Sequence, residues 1–180
     1  MDKSVYKYAA EAGLPVGIYL TAMSMCLLLS LRFPVLPVFV GPLALFFPFL
    51  LARLMKRMAV ACPGYGKFSA LWLFGIYTVI FGTLICSLVS GVYLTLIEPG
   101  FIGSYVTSAI ATLEASPQAS EYSDTVDLMR QALEARMLPT GMEFVSSMAW
   151  LTCFAGSMLS LVIAAIIGKT QSRKAADMWR

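Results

Sequence analysis

Residues 68–97 read FSALWLFGIYTVIFGTLICSLVSGVYLTLI, thirty positions without one Asp, Glu, Lys, Arg or Pro. A bilayer core is crossed by about 20 apolar residues of helix. At ~1.5 Å per residue this stretch extends to about 45 Å, so as a helix it must tilt, bend or project from a ~30 Å core. Three further apolar blocks accompany it, at 13–31, 34–52 and 142–168. Hydrophobic residues make up 59% of the chain and charged residues 13%, about half the charge of an ordinary soluble domain. A soluble fold would have to hide four helices that are apolar on every side. The expectation is therefore an all-α integral membrane protein with four transmembrane helices, one membrane domain over 1–180 and one sizeable polar segment at 98–141.

The first block follows Lys3 and Lys7, as a secretory signal would. It is long for such a signal and no A-x-A-like site closes it, so a retained helix is expected, beginning near Pro15. Basic residues alternate between loops. Lys3 and Lys7, then Arg53, Lys56, Arg57 and Lys67, then Lys169, Arg173, Lys174 and Arg180 account for ten of the thirteen Lys and Arg. Arg32, Arg130 and Arg136 are all that the opposite side retains. The positive-inside rule predicts both termini and the 53–67 loop in the cytoplasm of a bacterial inner membrane. The basic clusters read as orientation signals and contacts for anionic lipid, not for nucleic acid.

Cys26, Cys86 and Cys153 lie within apolar blocks and Cys62 in the predicted cytoplasmic loop, so no disulfide framework is expected. The chain has no His, and with it no member of the commonest class of metal ligand and general base. Neither cofactor, metal nor catalytic residues are expected. No acid or base lies deep within a span, which argues against proton pumps, ion-coupled carriers and voltage sensors.

The second block carries Pro34, Pro37, Pro42 and Pro48. The first two suit a first turn; Pro42 and Pro48 each free a carbonyl and make either a static kink or a candidate hinge. In the third block, Gly82, Cys86 and Ser90 form one small-residue row, and Thr83, Ser87 and Gly91 an adjacent one; Gly156, Ser160, Ala164 and Gly168 form a longer row in the fourth. Such rows let backbones approach closely in lipid. Packing of the third helix on the fourth is their expected use, with self-association second.

In the 98–141 segment, six acids face two arginines, and two amphipathic helices are predicted. One covers about 101–113, with Phe101, Tyr105, Ala109 and Leu113 in a stripe; the other covers about 121–137, capped by Ser120, with Tyr122, Val126, Met129 and Leu133 on one face. Lying over the bundle is the expected cover for both. The acids do not follow a calcium-loop pattern.

The stretch from Gly64 to Ile102 resembles domain of unknown function 4199, a family of small Bacteroidota inner-membrane proteins. The resemblance rests on Gly64, Tyr65, Gly66 and Phe68 before the span, on the glycine- and serine-bearing span itself, and on Tyr93, Glu98, Pro99 and Phe101 after it. The family more often carries Asp where this chain has Glu98. The resemblance implies a four-span bundle with a variable outer segment and implies no activity.

A carboxylate at a helix C-terminus opposes the macrodipole and should find a partner; Arg32 is the nearest candidate for Glu98. These observations support first a non-enzymatic accessory or assembly subunit, with the bilayer, a membrane protein or a second copy as partner. A small-solute or lipid facilitator stands second and an envelope sensor third. Glu98 and Glu143 are the only acids placed to suggest enzymatic acid–base chemistry.

Overall fold

The computed structural model describes residues 5–33, 35–61, 68–116, 122–135 and 137–178, with side chains from Tyr6 to Lys169. Cys62, Gly64, Tyr65, Gly66, Lys67, Pro34, Pro117, Ser120 and Arg136, with the side chains of Arg173, Lys174 and Arg180, lie outside the described residues. The chain is all helical, 91% helix, with no strand among the described residues. Helices α1 (Val5–Leu28), α2 (Leu36–Ala61), α3 (Phe68–Val92) and α6 (Gly141–Met178) are long; α4 (Phe101–Glu114) and α5 (Ser123–Glu134) are short. Four segments are long and apolar enough to cross a membrane: Tyr6–Leu31, Leu36–Ala61, Phe68–Ile97 and Gly141–Lys169.

Several boundaries differ from expectation, and packing explains each. α1 starts at Val5, ten residues before Pro15, which the helix absorbs. Ala9 is fully buried and Tyr6 meets Tyr77 edge-on at 4.9 Å, so contacts extend the helix through a residue that would otherwise start it. α2 runs to Ala61, so Arg53, Lys56 and Arg57 ride on its last turns instead of in a loop. Met55, Met58 and Ala59 on the opposite side of those turns are buried, and burial of that face holds the helix together. Pro42 and Pro48 both fall inside α2, which continues through them. The thirty-residue third span ends in a π-helical turn, Tyr93–Ile97.

α3 is the axis of the bundle: α1 lies along one side, α6 along another, and α2 touches the group more sparsely. Burial follows that order, with 33% of the third span's apolar window buried against 11% of the second's. The bundle has two ends. One, here the basic end, carries Lys7, Arg53, Lys56, Arg57 and Lys169; the other carries α4 and α5, which form a helical hairpin. At the basic end, Leu51 and Met55 of α2 fill the space between α1 and α6 over Leu71, Phe74 and Val79 of α3. Those five side chains are at most 2% exposed.

At the other end Phe101, the first residue of α4, is buried among Leu28, Leu94 and Val145. The rest of the hairpin supports itself. Ile110 and Val126 are buried, and Arg130 pairs with Glu114 across the two helices. The apolar stripes thus cover each other more than the bundle. Tyr105 stacks on Phe101 at 5.9 Å yet is 53% exposed; Phe101, Ala109 and Leu113 of the expected stripe lie on the covered face of α4, which also takes in Ile102, Val106 and Ile110.

Candidate functional site

The small residues are where the backbones come closest. On α1, a Cβ built on Gly13 would lie 2.5 Å from Phe81 Cβ, and one on Gly17 would lie 2.9 Å from Ile85 Cβ. On α3, a Cβ on Gly82 would lie 2.6 Å from Val16 Cγ1 and 3.1 Å from the Gly17 nitrogen. One small-residue row of α3 therefore serves α1. It continues to Ser90, whose hydroxyl is 2.9 Å from that of Ser24.

The row on α6 does meet α3, at different residues. Gly156 faces Val79, with 2.5 Å from a built Cβ to Cγ1; Ser160 faces Gly75; Gly168 lies near Phe68. Ala164 is fully buried in the same core. A Cβ built on Gly91 would lie 3.4 Å from Met142 Sδ. Neither Gly75 nor Val79 stands out in sequence, because a valine and an isolated glycine do not make a row. Gly13 and Gly17 were legible as a G-x-x-x-G pair within an apolar run.

Toward the hairpin end, α1 and α6 separate over α3 and leave a crevice of about 190 Å³. Leu20, Met23, Ser24, Leu27 and Leu28 form its α1 wall. Thr83, Cys86, Ser87, Ser90 and Leu94 form its floor on α3, and Met148, Ala149 and Thr152 belong to its α6 wall. No residue of α2 lines it among the described residues. The first half of α2 leans on α1 instead, where the Tyr19 hydroxyl donates to the Leu43 carbonyl and Tyr19 stacks with Phe47 at 6.2 Å. That carbonyl is one residue before Ala44, whose oxygen Pro48 leaves without its helical donor.

The crevice is blind. Leu51, Val79 and Phe74 close it toward the basic end, and the Phe101 cluster closes it toward the hairpin. Its lining is mostly apolar. Ser24 and Ser90 satisfy each other, while the buried Thr83 hydroxyl has no hydrogen-bond partner among the described residues. Thr21, Thr78 and the Trp72 indole N–H are in the same position.

One turn beyond the crevice, Arg32 Nε and Glu98 Oε1 lie 4.0 Å apart. The Tyr93 hydroxyl donates to Glu98 Oε2 at 2.7 Å, and the Glu98 amide donates back to the Tyr93 carbonyl at 3.0 Å. These contacts answer the unfavourable placement of a carboxylate at a helix C-terminus. Glu143 is elsewhere and has a structural task. Its carboxylate accepts the Thr140 N–H at 2.7 Å and its own N–H donates to Thr140 Oγ1 at 3.3 Å, a reciprocal cap on α6. The T-x-x-E signal was legible at 140–143. Pro42 and Pro48 are exposed and half-buried residues of the leaning α2. At the basic end, Arg53, Lys56 and Arg57 share an exposed strip of α2 with Phe49 and Val60.

Four membrane-length helices, three of which line a lateral crevice, define a multi-pass helical membrane protein. The chain belongs to the family described as protein of unknown function (DUF4199), which it matches over residues 11–169. No curated protein and no solved structure matches it.

Proposed function

We propose that this chain is a non-enzymatic accessory or assembly subunit of a bacterial inner membrane. Both termini would be cytoplasmic and the α4–α5 hairpin would lie on the outer side. The family resemblance favours a Bacteroidota source, and the alternation of basic residues favours that orientation. The observation that carries the reading is the hairpin. Ile110 and Val126 are buried and Arg130 pairs with Glu114 across its two helices, while its root at Phe101 is anchored in the bundle. Tyr105 and Leu128 are left 53% and 66% exposed on its outside. Apolar and aromatic side chains on such a projection suit protein contact.

A lipid or small-solute facilitator is the second reading, favoured by the lateral crevice. It has less support because fully buried side chains close the crevice toward the basic end. The deciding experiment is a mild-detergent pull-down of tagged protein from native membranes, read by quantitative mass spectrometry, beside Leu128→Glu. A stoichiometric partner lost in Leu128→Glu supports the accessory role. Absence of any partner refutes it and moves attention to liposome flux. Orientation is read by an impermeant maleimide on single cysteines at Arg57 and Ser123, of which only Ser123→Cys should react on intact cells with a permeabilised outer membrane.

A further inference from the structure

The crevice over α3 lies wholly within membrane-spanning segments and opens sideways, between α1 and α6, where α2 has leaned away. Its dimensions select its occupant. Along α1 it runs from Leu20 to Leu28, about 12 Å of helix rise. A volume of about 190 Å³ over that length gives a mean cross-section of about 16 Å². A slot of that width admits a single hydrocarbon chain lying along it.

The mouth adds a charge. Leu28 and Leu94 line the crevice, and Arg32 and Glu98 follow each of them by four residues. Glu98 is engaged by Tyr93, and the Arg32 side chain remains 60% exposed. A cation at the interface, one turn above an apolar slot, matches an anionic headgroup above its own acyl chain.

We propose that the crevice is a binding site for one acyl chain of an anionic phospholipid from the leaflet at the hairpin end, with its phosphate at Arg32. The inference is independent of the accessory role, since a bound lipid is compatible with any partner. The apolar walls cover the chain, and Leu51, Phe74 and Val79 stop it from passing farther toward the basic end. The Ser24–Ser90 pair is already satisfied and asks nothing of it.

The test reconstitutes purified protein into phosphatidylcholine vesicles doped with phosphatidylglycerol that carries a photoactivatable diazirine on one acyl chain. Irradiated protein is digested and adducts are mapped by mass spectrometry. Adducts are expected at Met23, Leu27 and Met148 in excess of those on the exposed Phe46 face of α2. Diazirine phosphatidylcholine should label the crevice about fivefold less, equivalent to ~1 kcal/mol for one cation near the surface. Arg32→Gln should abolish that headgroup preference, and Ser87→Leu with Ala149→Leu should remove the crevice adducts while leaving those at Phe46.

Equal labelling of crevice and Phe46 face overturns the proposal, as do crevice adducts that survive the double substitution. Absence of adducts at Met23, Leu27 and Met148 would overturn it as well. Should the double variant fail to fold, competition of wild-type labelling by unlabelled phosphatidylglycerol decides: labelling that excess lipid does not reduce refutes a site.

Discussion

Gly156→Ala tests whether α3 and α6 are held at glycine distance. The built Cβ would lie 2.5 Å from Val79 Cγ1, 3.0 Å from Cγ2 and 3.2 Å from Cβ. All three atoms belong to one stiff, β-branched side chain that is fully buried, so none can swing away. Overpacking of this kind costs about 1–3 kcal/mol, offset by about 0.8–1 kcal/mol of helix propensity on replacing Gly with Ala. The net expectation is a loss of up to about 2 kcal/mol. Val79→Ala alone should cost about 1–3 kcal/mol, since it opens a cavity in the core.

Together the two changes should cost less than their sum by about 1–2 kcal/mol, because truncating Val79 vacates the space that the methyl group added at Gly156 takes. Gly41→Ala is the control: nothing lies within 4 Å of its built Cβ, so it should be neutral or stabilise by up to about 1 kcal/mol. The assay is reversible SDS-titrated unfolding in mixed micelles followed by tryptophan fluorescence. If Gly156→Ala and Val79→Ala add to within about 0.5 kcal/mol, the helices do not meet there as described.

Thr78 is fully buried and its hydroxyl has no partner among the described residues, so Thr78→Val should be neutral or stabilise by about 1 kcal/mol in the same titration. Ser160→Ala, which removes a donor to the Gly156 carbonyl, should not. Glu114→Ala or Arg130→Ala removes a pair about half exposed on each side; the loss should be under about 1 kcal/mol and shrink further at high salt. Thr140→Ala breaks the cap on α6 and should cost about 0.5–2 kcal/mol, with amide hydrogen exchange accelerated in the first turn of that helix.

The four spans were legible because length and absence of charge suffice to identify them, and the structure places four long apolar helices close to the blocks read from the sequence. Helix ends were legible only where a local signal governs them. Pro15 misleads because the contacts of Tyr6 and Ala9, made with distant residues, outweigh one missing hydrogen bond. Small-residue rows announce close packing but not a partner. Gly82 faces α1 while Val79, three residues earlier, faces Gly156 on α6, and the choice depends on crossing angles that no row encodes. The crevice was not legible in its walls. It exists because of where α2 is missing, and a helix's path is not written in the residues it leaves uncovered.

That path yields a last prediction, which asks what diverts α2 from the crevice. Two causes are available: the bend that an interior proline introduces, or the short connection that ties the start of α2 at Leu36 to the end of α1. The second half of α2 fills the space between α1 and α6, and the first half does not; Pro48 lies just before Leu51, where burial resumes. If the proline is responsible, Pro48→Ala restores the missing bond to the Ala44 carbonyl and lets Phe47 and Leu43 turn inward over Ser87 and Cys86. Cys86 reports the change directly because it lines the crevice. With Cys26, Cys62 and Cys153 replaced by Ala, alkylation of Cys86 by N-ethylmaleimide in micelles should slow markedly in Pro48→Ala relative to the proline parent. The lipid adducts in the crevice should fall in parallel. Unchanged alkylation would assign the divergence to the connection, and lengthening that turn would then be the substitution that closes the crevice.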